Sequence, residues 1–510
     1  MKKIILYTIA ILLLLTITSG KKDRKRNLPS EPQMTLVMEI YDGAIFGLSG
    51  SGEVRIDWGD GKKDYHILSD SMTRYDHNYH INSKHLPFTI YTITITGKDI
   101  RELYLVWCNR ITDWDYGMMS CKALDISKNV ALLKLDCSYA YLSKLDISKN
   151  TALKELICPQ NQLIYLDVSK NTALEYLNCD ENLLQYIDVS ENKMLKNLSC
   201  NENNLTDLSV NENLALISIS CNDNKLTDID ISENITLTTL SCQDNKLSDL
   251  DISKNLALEH LDCSLNKLKQ LDISKNTALA RLDCGGNLLI YLDITHNTAL
   301  EYLHCGSNAL KNLDISKNTA LLSLTCYENQ LLSLDISENI KLETFDCRNN
   351  QITNLEISKN LALTRLFCDN NQITNLNISN NKMLKWLLCS DNPLTSLDIS
   401  NNIELEGLRC NQNQLISLDI SKNTLLEDLR CNKNQLTSLN ISKNIALIHF
   451  DCSYNDFSKS ALNILFETLQ NKKNNDDGYL QIEGNLGTDT CDKSIAEKKG
   501  WKVITYQIDE

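Results

Sequence analysis

The sequence predicts a solenoid of stacked coils preceded by a small N-terminal β-sandwich, and three observations carry the solenoid. Sixteen cysteines recur every 21 residues, from Cys137, Cys158 and Cys179 to Cys410, Cys431 and Cys452. A leucine stands five residues before each of them, Leu132, Leu153 and Leu174 through Leu447. An asparagine stands three residues after each cysteine except the first, where Ala140 sits. A period of this length marks units that cannot bury their own apolar edge, so neighbours must stack and stability accumulates along the array.

At the N-terminus, Met1-Lys2-Lys3 and the apolar run Ile4 to Ile17 lead to the small residues Thr18-Ser19-Gly20. This pattern predicts a secretory signal peptide over residues 1–20. The run is short for a transmembrane helix, so an uncleaved anchor is the alternative and the one membrane association expected. Lys21 follows Ser19-Gly20 where a lipoprotein signal would place a cysteine, leaving no thiol to acylate. Residues 21–33, with the basic run Lys21 to Arg26 and two prolines, predict a solvated linker.

Residues 34–100 carry no repeat. Val54-Arg55-Ile56 and Phe88 to Ile95 predict strands, with Asp57-Trp58-Gly59-Asp60-Gly61 as a turn and His77-Asn78-Tyr79 before the last strand. These landmarks resemble the PKD-like (polycystic kidney disease) β-sandwich domain. The resemblance implies that the Trp-Gly-Asp-Gly and His-x-Tyr residues are structural. Asp76, His77, His80 and His85 offer a metal-binding alternative. Loop histidines without cysteine partners or helical spacing are ordinarily solvated, so no metal and no cofactor is expected.

Residues 101–121 form an out-of-register stretch with Leu103, Leu105, Ile111 and Trp114 as apolar marks, and with Cys108 placed 29 residues before Cys137. This stretch predicts an N-terminal cap over the open edge of the first coil. The coils follow over residues 122–457. In Leu261-Asp262-Cys263 the alternation turns Leu and Cys inward, and Leu271-Asp272-Ile273 repeats it on the other half. A second asparagine column, Asn129, Asn150 and Asn171 through Asn444, completes Ser-x-Asn or its equivalent in each coil. At these bends an amide satisfies backbone groups that the ladder no longer reaches. The unit Leu-x-x-Leu-x-Cys-x-x-Asn-x-Leu-x-x-Leu-Asp-Ile-Ser-x-Asn resembles the short bacterial leucine-rich repeats of the IRREKO type, and more loosely the internalin-like surface proteins. That resemblance implies an arc-shaped or gently superhelical leucine-rich-repeat solenoid used for binding, and names no ligand. Residues 458–510 read as helix (Ser458 to Leu469), strand (Tyr479 to Glu483), helix (Lys493 to Lys499) and strand (Trp501 to Tyr506). They are similar to the αβαβ caps that close such arrays.

The formal charge of −15 argues against nucleic acid and anionic membranes as partners. A glycine-rich phosphate loop, a His-Glu-x-x-His helix and a Gly-x-Ser-x-Gly elbow are all missing from the sequence, so no enzymatic activity is expected. The aspartate column Asp125, Asp146, Asp167 and Asp188, then Asp230 through Asp335, Asp398 and Asp419, admits two readings. One is calcium; the other is acceptance of hydrogen bonds from the following Ser or backbone. Ser209, Glu356, Asn377 and Asn440 interrupt the column, which favours the second. In-register cysteines point the same way, so free buried thiols are expected over disulfides.

Most outward strand positions are small or polar, as in Ser218 and Ser220, Thr239 and Ser241, or Ser323 and Thr325. The bias changes at Arg365, Phe367, Trp386, Leu388, Arg409 and Arg430, with Tyr302, His304 and Arg281 continuing it. Aromatic and arginine side chains dominate interaction hot spots. The competing reading is that Phe367 and Trp386 only cover a gap between coils. The sequence thus predicts an exported, monomeric, non-enzymatic interaction protein of the periplasm or cell surface, presenting this face to a protein or glycan. An accessory module of a carbohydrate- or peptide-processing system, or a structural envelope spacer, is the alternative.

Overall fold

The computed structural model describes residues 32–40, 43–79, 89–105, 120–472 and 478–505. The expected signal peptide and nearly all of the linker lie outside the described residues, as do His80, His85, Cys108, Ile111 and Trp114.

Alternating burial builds the N-terminal strands. In β1 (Gln33–Ile40) Met34, Leu36, Met38 and Ile40 face inward and the intervening residues outward. β2 (Gly43–Asp57) pairs along one edge with β3 (Lys63–Leu68) and β4 (Thr73–Asn78), and along the other with β5 (Thr89–Tyr104). The register of β2 on β5 shifts at Gly50, where φ is 145° and an added Cβ would stand 2.0 Å from the Asp99 carbonyl oxygen. Only glycine fits that bulge. The turn landmarks converge as one aromatic cluster. His77 stacks on Trp58 at 4.8 Å and contacts Asp60 at 2.9 Å, while the Tyr79 hydroxyl donates to the Trp58 carbonyl at 2.9 Å. His77 is thereby committed to packing.

The expected boundary at residue 100 falls inside β5. That strand pairs with β1 over Thr89–Thr96 and then, at Glu102–Tyr104, runs parallel to β7 (Lys134–Asp136), the strand of the first cysteine coil. β6 (Ser120–Asp125) returns to pair with β1. The N-terminal strands therefore belong to the same hydrogen-bonded sheet as the coils and do not form a separate one.

From β7 to β22 (His449–Asp451) each coil contributes one three-residue strand, paired in parallel with its neighbours without a register shift. The central residue and the following cysteine are buried in every coil. Two residues after the cysteine the backbone turns left-handed. Non-glycine residues from Tyr139 to Tyr454 take φ between 48° and 57° there, with Gly286 the one glycine. Such φ values cost L-residues roughly 1–2 kcal/mol, and β-branched side chains, which tolerate them least, never occupy the site. The next residue holds the bend. Asn266 donates to the carbonyls of Cys242 (2.9 Å), Cys263 (3.2 Å) and Ser264 (3.1 Å), and its Oδ1 accepts from Leu247 N at 2.9 Å. Each such amide ties its own bend to the preceding coil.

Among the described residues the aspartate column is accounted for by the bend. Asp146 Oδ1 accepts from Ser148 N at 3.0 Å, and this bond holds its carboxyl below the usual range. Glu356, Asn377 and Asn440 make the same bond to Ser358, Ser379 and Ser442 at 3.0, 3.1 and 3.0 Å. The described cysteines are free thiols. Several donate across the ladder, as Cys242 Sγ does to the Asp262 carbonyl at 3.5 Å, and burial pushes Cys221 up to about 12.

After the last coil come α1 (Lys459–Thr468), β23 (Gly478–Gln481), the four-residue α2 (Ser494–Glu497) and β24 (Trp501–Ile504). Ser458 caps α1 by accepting from Ala461 N at 3.2 Å, and α1 buries Leu462, Leu465 and Phe466. β23 pairs with β22 and β24 with β23, so the ladder gains two parallel strands beyond the cysteines. Asn485 continues the bend amides, donating to Cys452 and Ile482 carbonyls at 3.0 and 2.9 Å.

Candidate binding face

Three-residue strands leave two side chains per coil on the outer face of the ladder, one on each side of the buried centre. Parallel pairing then aligns equivalent positions in rows at about 4.8 Å spacing. One row brings together Phe367, Leu388, Arg409 and Arg430, and its companion Arg365, Trp386, Gly407 and Asp428, on β18 (Arg365–Phe367), β19 (Trp386–Leu388), β20 (Gly407–Arg409) and β21 (Asp428–Arg430). The six residues expected from sequence between 365 and 430 thus form one continuous patch. Arg365 is exposed, and the other five are partly buried.

Trp386 also covers a gap. Its indole lies on Gly407, where an added Cβ would come within 2.2 Å of Cε3 and Cζ3. The same pairing recurs in the cap, where Trp501 lies on Gly478. Trp501 is 3% exposed, whereas Trp386 keeps part of its surface open.

Arg348, absent from the sequence expectation, joins the patch from the bend after Cys347. Asp346 holds it through Nε (2.9 Å) and Nη2 (2.6 Å), and its guanidinium lies 5.5 Å from the Phe367 ring and 5.8 Å from Tyr327. Arg409 Nε and Nη2 reach Asp428 Oδ2 at 3.1 and 3.0 Å, and Arg430 Nε reaches Oδ1 at 3.4 Å. Burial raises the carboxyl of Asp369, whose Oδ1 accepts from Ser390 N at 3.0 Å. Arg348, Asp369, Leu388, Ser390, Arg409 and Arg430 line a groove of about 500 Å³.

Arg281, Tyr302 and His304 belong to a second depression of about 390 Å³ spanning five strands, with His260, Asp262 and Asp283. Arg281 stacks on Tyr302 at 4.3 Å, and His304 Nδ1 meets Asp283 Oδ2 at 3.0 Å. Gly285 and Gly306 make room for the imidazole, since a Cβ on Gly285 would stand 2.9 Å from His304 Cε1. These glycines were the available sequence signal: in the other coils a side chain follows the cysteine directly. Ser323, Thr325 and Thr344 separate the two centres.

A parallel ladder of short coils with a side-chain-rich outer face defines a leucine-rich-repeat solenoid. The functional domain of InlJ from Listeria monocytogenes, which includes a cysteine ladder, matches with 31% identity over 71% of this chain and 76% of that one, at a TM-score of 0.58. A leucine-rich-repeat protein of Leptospira interrogans matches with 25% identity over 67% of this chain and 95% of its own, at 0.63. InlF, an internalin of Listeria monocytogenes, shares the fold at 23% identity over 62% and 89%, at 0.50. The chain belongs to the bacterial internalin-type leucine-rich-repeat proteins. No family model and no curated protein matches it.

Proposed function

We propose that the chain is an exported, non-enzymatic interaction protein that binds a protein partner through the patch from Arg365 to Arg430. One observation carries this reading. All five arginines of the coils, Arg281, Arg348, Arg365, Arg409 and Arg430, stand on the strands or directly after the cysteine. The lysines of the coils, apart from Lys122 and Lys134, stand elsewhere. Lysine is the better solvating cation, while arginine offers a planar, stackable fork of donors. Segregating the two places contact-forming cations on one face, next to Phe367, Leu388 and the single tryptophan of the coils. Export rests on residues 1–20 and on the membership in the internalin type. The IRREKO period and the PKD-like landmarks belong to the same reading, as do the divisions at residues 34–100, 101–121, 122–457 and 458–510, with β5 running from the first of these units into the second.

The test is a double variant, Phe367→Ala with Trp386→Ala. A partner recovered on the intact chain should be lost on the variant while cooperative unfolding is retained. Undiminished binding by a folded double variant would refute the patch as the site.

A further inference from the structure

The arginine groove carries information about the partner's chemistry, on the reading that the patch from Arg365 to Arg430 is the contact surface. The carboxylates that fix the guanidiniums lie beneath them. The Arg348 side chain is 39% exposed over Asp346 at 7%, and Arg409 is 35% exposed over Asp428 at 10%. In each pair the Nε–Nη2 edge faces the carboxylate, which leaves Nη1 of Arg348 and Arg409 for a ligand. An arriving group therefore meets oriented N–H donors before it meets their counter-charges, and oriented guanidiniums suit carboxylates.

The spacing narrows the ligand further. Arg348 and Arg409 belong to coils three apart, about 14 Å along the ladder at about 4.8 Å per strand. An extended peptide covers about 13 Å in four residues, and its residues i, i+2 and i+4 share one face. The side chain between the two contacts would then lie between Phe367 and Leu388, the two apolar members of the row. We propose that the groove binds an extended acidic segment of the partner protein, with carboxylates at positions i and i+4 and an apolar side chain at i+2. Asp369 and Asp391 on the groove wall would disfavour a uniformly anionic strand. The spaced pattern avoids them.

A fluorescently labelled peptide, acetyl-Glu-Ser-Leu-Ser-Glu-amide, provides the probe, read by anisotropy on the full chain. Two variants serve. Arg409→Gln leaves Asp428 in contact with Arg430. Arg348→Gln is combined with Asp346→Asn so that no buried carboxylate is stranded. Each should weaken binding at least about tenfold, the scale of one charge-assisted contact. Replacing both peptide glutamates by lysine should abolish binding, and added salt should weaken it. Failure of the peptide to bind, equal binding of the lysine peptide, or indifference to both arginine variants would overturn the proposal. So would preferential binding of a sulfated oligosaccharide or inorganic phosphate. Should the Phe367→Ala, Trp386→Ala variant lose its partner while the arginine variants keep theirs, only the acidic-segment inference fails. A partner retained by that double variant refutes the underlying reading, whatever the peptide does.

Discussion

The indole of Trp386 rests on the backbone of Gly407 in the next coil, in the space that any other residue's Cβ would need. Gly407 is the only glycine at its position in the sixteen cysteine coils, and it lies beside the only tryptophan of those coils. Gly407→Ala should therefore displace the ring or the strand and cost roughly 1–3 kcal/mol, as overpacking does. Urea titration of the variant measures it. Unchanged stability together with an unchanged tryptophan emission would place the ring elsewhere.

The shared strand β5 bears on an expectation about modularity. From sequence, residues 34–100 could be removed with the solenoid intact, because residues 101–121 would shield the first coil. Yet Glu102–Tyr104 is the strand on which β7 is paired, and it continues directly from the strand that holds β1, which in turn holds β6. Deleting residues 34–100 removes that support and uncovers Leu135 and Cys137, both fully buried. Hydrogen exchange should show loss of amide protection in the first coils and retention near β22. Unaltered protection at residues 133–137 would mean the coils cap themselves.

The coils were legible because sixteen of them impose the same constraint, so the Leu, Cys and Asn columns emerge above any local variation. What remained hidden broke the period or served two partners. The sequence of β5 divides at Gly97-Lys98-Asp99, between Phe88–Ile95 and the stretch from residue 101, and gives no sign that one strand runs through both and pairs with different neighbours. Asn485 does the work of a bend asparagine but stands 30 residues after Asn455, because α1 is inserted between them. Strand alternation alone aligns the residues from Arg365 to Arg430 on one face. Arg348 was missed because it follows the cysteine, where the chain has left the strand. Asp346 and Asp428 looked like further outward polar residues, and only their burial marks them as the supports of the arginines.

The cysteine ladder should be silent to thiol reagents in the folded chain. Cys137 through Cys452 are fully buried, and burial raises their pKa values, so both access and thiolate are lacking. Cys491 is the half-buried exception among the described residues. Under native conditions a thiol reagent should label Cys491 while sparing the ladder. In denaturant the sixteen ladder thiols should all titrate. Fewer than about half of them reacting after unfolding would show that disulfides hold the coils.

The two asparagine columns should differ in cost. Asn266 makes three donor bonds and accepts one. Asn255 donates to Ile231 and Asn234 carbonyls at 3.0 and 2.9 Å, while its buried Oδ1 has no hydrogen-bond partner. Replacing Asn266 by Ala also frees a bend that Leu265 holds at a φ of 53°. The expected loss is about 1–3 kcal/mol for Asn266→Ala and less for Asn255→Ala, since half of that amide is already unpaired. Chemical denaturation of both variants decides the order, and an equal or reversed loss would remove the bend from the account.

His304 gives the solenoid a pH dependence of definite sign. Its hydrogen bond to Asp283 raises its pKa above the ordinary 6.5, outweighing the burial that would lower it, with Asp262 and Asp346 adding attraction. A group whose folded pKa is raised contributes stability that is fully present below its unfolded value and is lost as pH climbs through the folded one. The contribution should therefore be complete below about pH 6.5 and fade on the alkaline side. Burial also pushes the Asp262 carboxyl up, but that term is common to the chain and a His304→Gln variant, so their difference isolates the imidazole to first order. The stability gap between the two proteins should be widest near pH 5.5 and narrow by pH 8.5, measured by urea titration at each pH. A gap that widens with pH would mean that the neutral ring, seated between Gly285 and Gly306, is the form that the fold selects.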